Sequence, residues 1–473
     1  MDLTNYLLMK HEISLIVVFL VLIITDLFAS ESAKKYYFPF ACLLFLAHTV
    51  AGFFFKDSGD SFAGMYVTGP AYATIKNILN IGVFLVFLQA NSWLNKPESR
   101  IKRGEYFILT LLTLMGMYLM ISAGHFLLFY IGLETASLPI AALVAFDKYR
   151  NESAEAGAKY IFNAIFSSAL LLFGLSFLYG ASGTLYYADI VTSITSTPLV
   201  ILAMVFILCG LFFKISLVPF HLWAPDTYQG APTNVTLYLS IVSKGAAIFA
   251  LMTILYKVFP VLAETWKSIL WLIILVTITV ANLFALRQKN LKRFFAFSSI
   301  SQAGYIMLAV FSGTTAGMAA TVYYIFIYVF SNVAVFGVIS AIENKTDKVN
   351  MGDYNGLYAG NPKLALAMMI AVFSLGGIPF AAGFFSKLFV FRAAMEQEQV
   401  LLVFLAFLNT VIALYYYLLV VKAMFINSTD APIEKLRTDG YLKLSIVLSM
   451  VGIFTIGMFS FFYEWIEVGS WGV

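Results

Sequence analysis

Charged residues and cysteines are scarce in this chain of 473 residues. Only 11% of the residues are charged, whereas 61% are hydrophobic. A chain of this composition does not have enough polar surface to fold as a water-soluble domain. Unbroken apolar runs of about 20 residues recur along it, which is the length that a helix needs to cross a bilayer. A transmembrane β-barrel has alternating segments of about ten residues instead. The sequence therefore predicts an all-α integral membrane protein.

Motifs for cofactors are also missing. The two cysteines, Cys42 and Cys209, lie far apart within apolar runs. An iron–sulfur cluster takes four ligands, so these two thiols are better explained as small apolar residues. The chain has no G-x-G-x-x-G that follows a strand and opens a helix, and it has no P-loop. We expect no cofactor and no metal to be bound by this chain itself.

Apolar runs define the predicted architecture, which has about fourteen membrane-spanning helices. Long loops are absent, since the longest, 147–159, 181–198 and 343–362, are too short to fold independently. The chain is thus predicted to form a single membrane domain over residues 1–473. The predicted helices lie near 13–30, 36–55, 71–93, 105–122, 124–146, 160–180, 199–220, 232–256, 268–286, 294–312, 317–342, 363–391, 399–425 and 441–463.

The distribution of Lys and Arg predicts the orientation of these helices. One set of alternate loops carries nineteen of them, and the other set carries only Lys10, Lys56, Lys257, Lys267 and Arg392. By the positive-inside rule the richer side is cytoplasmic, so both termini are expected on the outer side. The net charge of +4 then reflects topology and needs no nucleic-acid partner. The first run is followed by lysines, unlike a secretory signal peptide, so we expect it to be retained as a helix.

Four ionisable residues stand inside apolar runs. They are Glu134, Lys214, Lys244 and Lys387. A charge at the centre of a spanning helix costs about 2.5–3.5 kcal/mol or more, so such residues usually pair, line water or carry ions. A buried carboxylate and a buried amine each stabilise the charged form of the other, so a Glu134–Lys214 pair is a natural two-position proton switch. A static structural ion pair is the alternative.

Two of the predicted helices are interrupted in the same way. Pro219 follows Lys214 in the seventh helix, and Gly376, Gly377 and Pro379 precede Lys387 in the twelfth. Discontinuous helices at equivalent places in two halves point to an ion site between inverted repeats, although proline is in any case commoner in membrane helices. The spacing predicts one repeat over 105–257 and a second over 268–425, flanked by 1–104 and 426–473.

Polar stripes accompany these lysines. In the eighth helix, steps of three and four residues place Thr233, Thr236 and Ser240 on one face with Lys244. Hydroxyl side chains often bond only to their own helix, but several stripes in one bundle favour a hydrated polar axis. The tenth and eleventh helices carry similar polar stripes, formed by Ser298, Ser301, Gln302, Tyr305, Tyr324, Tyr328, Ser331 and Asn332.

Other ionisable residues are assigned to lesser roles. His221 follows the break in the seventh helix, where it could relay protons or cap carbonyl groups. His125 begins the fifth helix and is expected at the interface. Lys76 and Lys422 stand near helix ends, from which their amines can reach water. We expect both lysines to lie outside the functional set.

Several segments resemble a known family. They are Glu134-Thr-Ala-Ser-Leu-Pro139, Lys214-Ile-Ser-Leu-Val-Pro219-Phe-His221-Leu-Trp-Ala-Pro225-Asp226, Ser243-Lys244-Gly245 and Gln288-Lys-Asn-Leu-Lys-Arg293, the last running into Phe297 to Tyr305. Together they resemble the antiporter-like membrane subunits of respiratory complex I over nearly the whole chain. The ending Asp226-x-Tyr-x-Gly-Ala-Pro232 is most similar to the subunit N type.

The resemblance implies a proton-translocating subunit of NADH:quinone oxidoreductase in a bacterial inner membrane. Glu134 and Lys214 would then be the coupling pair, Lys244 the central relay, and Lys387 the residue facing the outer half-channel. Quinone, FMN and iron–sulfur clusters would belong to partner subunits. Gln302 departs from the pattern, because relatives often have His there, and this weakens the case for a titrating relay in the tenth helix.

Two other functions remain open from the sequence. A D-like subunit of a multisubunit sodium/proton antiporter would share the fold and most of these residues. A stand-alone secondary transporter would need a discriminating polar pocket at the midplane. The lysines disfavour it, because amines repel sodium and suit protons better. A purely structural membrane subunit is disfavoured by its buried charges.

Overall fold

The computed structural model describes residues 4–469, and in this range the chain crosses from one side of the bundle to the other fourteen times. Twelve of the crossings contain a long, apolar helix, and α2 is shorter. The seventh and twelfth crossings are each made of two pieces. The crossings are α1 (Lys10–Phe28), α2 (Tyr37–Gly52), α3 (Pro70–Leu94), α4 (Arg103–Ile121), α5 (Phe126–Val144), α6 (Asn151–Ser182), α7a with α7b (Pro198–Ile215 and Trp223–Gly230), α8 (Thr233–Lys257), α9 (Ala263–Ala285), α10 (Leu291–Ser312), α11 (Thr315–Thr346), α12a with α12b (Pro362–Gly376 and Ala382–Met395), α13 (Val400–Phe425) and α14 (Gly440–Met458).

Shorter elements complete the description. A two-stranded antiparallel hairpin, β1 (Gly59–Ser61) and β2 (Tyr66–Thr68), lies between α2 and α3, and α15 (Phe461–Val468) follows α14. The remaining helical turns are Thr4–Leu7, Glu31–Lys34, Pro97–Arg100, Tyr187–Ser193, Pro260–Leu262, Met351–Tyr354 and Leu357–Gly360.

Contacts between loops support the count of fourteen crossings. Loops predicted on the outer side contact one another, since Tyr66 pairs with Ala123 and His125 pairs with Tyr186. On the other side, Asn290 after α9 pairs with Asn350 after α11. If the count were wrong by one crossing, the two loops of such a pair would lie on opposite sides of the bundle and could not be in contact. The all-α fold with two discontinuous helices is thus confirmed, with the small outer hairpin as an addition.

Some predicted boundaries are wrong for a common reason. α6 begins at Asn151, so its first turns take up most of the predicted loop 147–159. α14 ends at Met458, and α15 is a separate helix. An apolar run marks only the part of a helix that lies in hydrocarbon, and polar turns that continue beyond it leave no such signal.

The breaks in the seventh and twelfth crossings place a left-handed residue just beyond the first half-helix. Ser216 has φ of 66° after α7a, and Gly377 has φ of 80° after α12a. This conformation ends a helix by turning its last amides back onto free carbonyl groups. A serine there carries a steric penalty that glycine avoids. α7a accordingly ends at Ile215, earlier than the predicted 220.

The two halves of the bundle use the same pairings. α4 packs against α5, and α9 packs against α10. α6 packs against both halves of the seventh crossing, and α11 packs against both halves of the twelfth. The limits of the two repeats, 105–257 and 268–425, and the inverted relation between them stay predictions.

The core of the bundle is formed by α8, α10 and α11. Nearly every side chain of these three helices is enclosed by protein, whereas α1, α9 and α13 turn one apolar face outward. Such helices, hydrophobic all round, belong in the centre of a membrane bundle. The lysine of α8 and the polar stripes of α10 and α11 are therefore held away from lipid.

Candidate functional site

Lys214 lies in the last turn of α7a, directly before the break, and only 3% of its surface is exposed. Its amine donates to Ser137 Oγ of α5 at 2.7 Å and to Tyr160 Oη of α6 at 3.2 Å. The end of a helix carries partial negative charge, which favours a cation at this position. All of these partners are neutral.

Glu134 lies on α5, one helical turn before the serine that holds Lys214. Within residues 4–469 its Oε1 is buried without a hydrogen-bond partner, and no ion pair joins Glu134 to Lys214. Because Ser137 follows Glu134 by three residues, both face the same side of α5. The predicted pair is thus brought to one side of α5, but in the described residues the amine bonds Ser137 and forms no ion pair with the carboxylate.

Lys244 lies in the middle of α8, 1% exposed, at the end of a π-helical turn over Leu239–Ser243. Its amine donates to Ser299 Oγ of α10 at 2.6 Å and lies 5.6 Å from the centre of the Tyr228 ring. A cavity of about 10 Å³ adjoins it, lined also by Tyr328, whose hydroxyl is buried without a partner among the described residues. This volume is close to the lower limit for one water molecule.

The predicted stripe on α8 differs from the observed arrangement. Ser240 bonds to the carbonyl of Leu237 in its own helix, and Thr236 bonds to the carbonyl of Tyr228. The π turn adds a residue to the helical step, so the spacing of three and four no longer aligns these hydroxyls with Lys244. The partner that the amine does use, Ser299, belongs to another helix and leaves no signal in the local sequence.

Lys387 lies on α12b and reaches back across the break. Its amine donates to the carbonyl oxygen of Gly376, in the last turn of α12a, at 2.9 Å. The amine is also 4.9 Å from the centre of the Tyr305 ring of α10. The residue is 5% exposed. A free carbonyl of the broken helix thus takes the place of a carboxylate as the partner of this lysine.

A polar network occupies the space between α10, α11, α12a and α13. Gln302 Nε2 donates to the Leu375 carbonyl at 3.1 Å and to Tyr417 Oη at 3.0 Å. Tyr324 donates to Gln302 Oε1, and Ser298 bonds Tyr417 at 2.6 Å. Two of the predicted stripes therefore meet here. Because an amide does not titrate near neutral pH, this network can orient protons only through its hydroxyls or water.

His221 lies in the break between α7a and α7b, and 7% of it is exposed. In the part of the chain that the structure describes, its Nδ1 is buried without a hydrogen-bond partner. The ring therefore keeps a free position for a water or a proton, and its relay role stays a prediction. His125 caps α5 by accepting the Leu127 amide at 3.0 Å, and Lys422 is exposed as expected.

The interpretation of Lys76 as a peripheral lysine is wrong. Its surface is 0% exposed, and its amine forms an ion pair with Glu12 at 2.6 Å. Glu12 comes just before the predicted start of the first helix at residue 13, so the apolar run does not include it. The observed helix begins at Lys10 and carries both His11 and Glu12 into the bundle. An earlier start for this helix is the signal that could have found the pair.

Asp226 connects three elements at the surface on the lysine-rich side. Its carboxylate forms ion pairs with Lys159 of α6 at 2.8 Å and with Arg293 of α10. Partial burial opposes ionisation, but the hydrogen bonds from these two cations outweigh it and hold the pKa of the Asp226 carboxyl below its ordinary value. The pairs are between 30% and 44% exposed, so solvent screens them.

Because the pKa of Asp226 is lowered, its contribution to the stability of the purified protein should depend on pH. The contribution of Asp226 is complete near neutral pH and is lost as acid protonates the carboxylate, because its folded-state pKa is below the unfolded one. We expect Asp226→Asn to lower the melting temperature by about 2 °C or less at neutral pH. The difference from the unmodified protein should shrink as the pH falls. Glu396→Gln, which removes an exposed pair with Arg392, is the control, and an unchanged difference down to acidic pH would contradict this origin.

Comparison with known proteins shows the family of this chain. Residues 123–413 match the family described as NADH:quinone oxidoreductase/Mrp antiporter, TM. NADH-quinone oxidoreductase subunit N of Phocaeicola vulgatus is 55% identical over 465 residues, covering 98% of both chains. Subunit N of Azobacteroides pseudotrichonymphae is 52% identical over 477 residues, covering 100% of this chain and 99% of the relative.

Solved structures have the same fold. A chain of respiratory complex I from Thermus thermophilus superposes with a TM-score of 0.80 at 29% identity, over 95% of this chain and 97% of that one. A chain of the Mrp complex from Dietzia sp. superposes with a TM-score of 0.85 at 19% identity, over 99% and 97% of the two chains, which shows the fold alone. The chain thus belongs to the NADH:quinone oxidoreductase/Mrp antiporter family of membrane subunits and, within it, groups with the N subunits of NADH-quinone oxidoreductase.

Proposed function

We propose that this chain translocates protons as a membrane subunit of NADH-quinone oxidoreductase, along an axis formed by Glu134, Lys214, Lys244 and Lys387. The observation that carries the proposal is the kind of partner each lysine has. Lys214, Lys244 and Lys387 are buried, and in the described part of the chain each bonds only to hydroxyl or carbonyl oxygens. Without a fixed counter-charge, a buried amine can exist in either protonation state.

Other buried lysines provide the contrast. Lys76 is paired with Glu12, and Lys292 is paired with Glu343 at 3.0 Å. A carboxylate within 3 Å stabilises the charged amine, which then acts as a fixed charge. The three axis lysines lack this anchor, so the arrival or loss of a proton at one of them changes the field at the next. Their titrations are coupled and do not have independent values.

Glu134 supplies the switch in this proposal. The open Glu134–Lys214 geometry corresponds to a state in which the amine bonds Ser137 and Tyr160. Movement of the amine by one turn along α5 would close the pair and favour protonation of Lys214. Return to the hydroxyl partners would favour release toward Lys244. Water must bridge the gaps between these residues, and His221 in the break, with its free Nδ1, is placed to contact such water.

The redox chemistry is assigned to partner chains. The proposal requires FMN, iron–sulfur clusters and quinone in other subunits, with this chain contacting neighbouring membrane subunits of the complex. The relatives that support this assignment are named as NADH-quinone oxidoreductase subunits. We further propose the bacterial cytoplasmic membrane as the location, with both termini on the outer side, as the distribution of lysine and arginine favours.

A change at Glu134 tests the proposal directly. Glu134→Gln keeps the size of the side chain but removes its charge, so it cannot favour a protonated Lys214. We expect the assembled complex to oxidise NADH more slowly and to pump protons at about one tenth of the normal rate or less. The measurement is quench of a pH-sensitive dye in proteoliposomes containing the whole complex.

Glu134→Asp is the matched control for this experiment. It retains the charge on a side chain that is one methylene shorter, and it should be milder than the glutamine variant. A Glu134→Gln complex that assembles and pumps at the normal rate would remove Glu134 from the mechanism. Cation-driven proton exchange by this chain in the absence of NADH and its partner subunits would support the antiporter alternative instead.

A further inference from the structure

A second buried polar cluster lies outside the proposed axis, at the outer ends of α1 to α4. We call it the outer cluster and define it by Glu12, Ser14, His48, Lys76, Asn80 and Tyr118. These side chains are buried apart from Ser14, which is partly buried, and they come from four different helices. Ionisable groups within a membrane bundle are costly and usually functional. None of them has a role in the proposed axis.

One part of the outer cluster is an ion pair with a complete set of partners. Lys76 Nζ donates to Glu12 Oε1 at 2.6 Å and to Tyr66 Oη at 3.2 Å. Tyr66, on the outer hairpin, donates to Glu12 Oε2 at 2.8 Å. The amine also lies 5.3 Å from the centre of the Tyr118 ring. The hairpin thus closes the outer end of the pair.

The other part is centred on His48, and its hydrogen bonds can be satisfied in two ways. In the first, Nδ1–H donates to Ser14, which donates to the His11 carbonyl at 3.2 Å, and Nε2 accepts from Asn80 Nδ2 at 3.3 Å. In the second, Ser14 donates to Nδ1 at 2.7 Å, and Nε2–H donates at 3.1 Å to Tyr118, which donates to Asn80 Oδ1 at 2.5 Å.

These two arrangements use opposite tautomers of the same ring. A histidine with two satisfiable tautomers can accept a proton at one nitrogen and release a different proton from the other. The environment of His48 therefore has the property required of a proton relay. A histidine with a purely structural role needs only one tautomer.

His48 also lines a groove that extends toward the outer end of α1. This groove of about 530 Å³ between α1 and α2 has a mostly apolar lining, and Lys10, Ser14 and His48 are among its few polar side chains. At the mouth of this groove Lys10 pairs with Asp57 at 2.8 Å, and these side chains are 39% and 35% exposed. Because Ser14 bonds Nδ1, this nitrogen faces the groove, while Nε2 faces Tyr118 in the interior.

The interior side of the outer cluster leads toward the first repeat. Tyr118 lies on α4, as does Thr113, which bonds Tyr238 of α8 at 2.5 Å. Tyr238 Oη also lies 3.8 Å from Met117 Sδ, directly before Tyr118. A series of hydroxyl groups along α4 thus connects the outer cluster with α8, the helix that carries Lys244. The series is interrupted between Tyr118 and Tyr238, and a water molecule must bridge these two hydroxyls.

We propose that the outer cluster is a second proton-carrying site of this chain, in which His48 passes protons between the outer groove and the first repeat. The Glu12–Lys76 pair adds no net charge beside the imidazole, so it can hold the cluster together without fixing the charge on His48. This inference rests on the proposed function, because a relay is useful only in a subunit that moves protons.

The experiment uses the whole complex in proteoliposomes, with NADH oxidation and membrane potential followed together. We expect His48→Gly to assemble and to lower NADH-driven generation of potential by about twofold or more. Imidazole should restore it, because the groove beside Ser14 admits the free ring. 1-Methylimidazole should not, because it lacks a second nitrogen that can exchange a proton. A potential-sensitive dye is used because permeant bases dissipate a pH gradient.

Two further variants separate the possible causes of a loss. His48→Gln keeps a hydrogen-bonding group but cannot titrate, so it should pump as poorly as His48→Gly, and it decides the case if the glycine variant fails to assemble. His125→Asn is the control, since it replaces an outer histidine by another helix-capping residue. Normal pumping by His48→Gln, or equal rescue by the two imidazoles, would overturn the relay.

Lys244→Met, measured beside these variants, keeps this inference distinct from the proposed function. If Lys244→Met fails to pump while the His48 variants pump normally, only the outer relay is overturned. If Lys244→Met also pumps normally, the proposed axis itself is wrong, and the inference fails with it.

Discussion

Proton pumping by the assembled complex should fall by about tenfold or more when Lys244 is replaced by methionine. In the proposed axis the amine of Lys244 is the titrating group at the centre of the bundle, where α8, α10 and α11 are enclosed by protein. Its partner Ser299 is a neutral hydroxyl that cannot hold an extra proton near neutral pH. Methionine has a similar length and fills the same space, so the loss should not come from a packing defect.

The control for Lys244→Met must be a lysine that carries no proton in the proposed path. Lys76 is unsuitable, since it is buried in an ion pair with Glu12. Lys422 is exposed at the end of α13 and serves better. Lys422→Met should pump within about twofold of the unmodified complex, as expected for an exposed side chain. Equal pumping by the two methionine variants would show that the central amine is dispensable.

The local sequence predicted the parts of this site that depend on one helix. A lysine inside an apolar run is visible without knowledge of the fold, and so are the glycines and prolines that interrupt two crossings. The structure places Lys214 and Lys387 beside these interruptions, as expected from their spacing. The number of crossings was also predictable, because both the apolar runs and the alternation of charged loops depend on the order of the chain.

What depends on contacts between helices was not predictable. The partners of Lys244 and Lys387 are Ser299 and the carbonyl of Gly376, and neither is marked by its own sequence. The π turn before Lys244 was missed because periodicity arguments assume a uniform helix. The pair formed by Glu12 and Lys76 joins residues 64 positions apart, so the sequence around Lys76 does not indicate its partner and predicts only an amine that reaches water.

Lys387 should be as important as Lys244, but with a different tolerance to substitution. Its amine holds the free carbonyl of Gly376 at the end of α12a, so it serves as a donor across the break as well as a group that can titrate. Lys387→Met removes both properties. We expect pumping to fall by about tenfold or more, and NADH oxidation to slow with it, because a blocked proton step opposes the redox cycle to which it is coupled.

Lys387→Glu distinguishes the loss of titration from the loss of the hydrogen bond. A protonated glutamic acid can donate to the Gly376 carbonyl, whereas the ionised form would be repelled by it, so the side chain can still alternate between two states. The negative end of α12a also disfavours the carboxylate, which should keep part of the population protonated. The glutamate variant should thus retain a measurable fraction of pumping that the methionine variant loses.

Both variants are compared by dye quench in proteoliposomes at equal content of assembled complex. If the methionine variant pumps at least as fast as the glutamate variant, titration at this position is not required, and the break in the twelfth crossing has only a structural role.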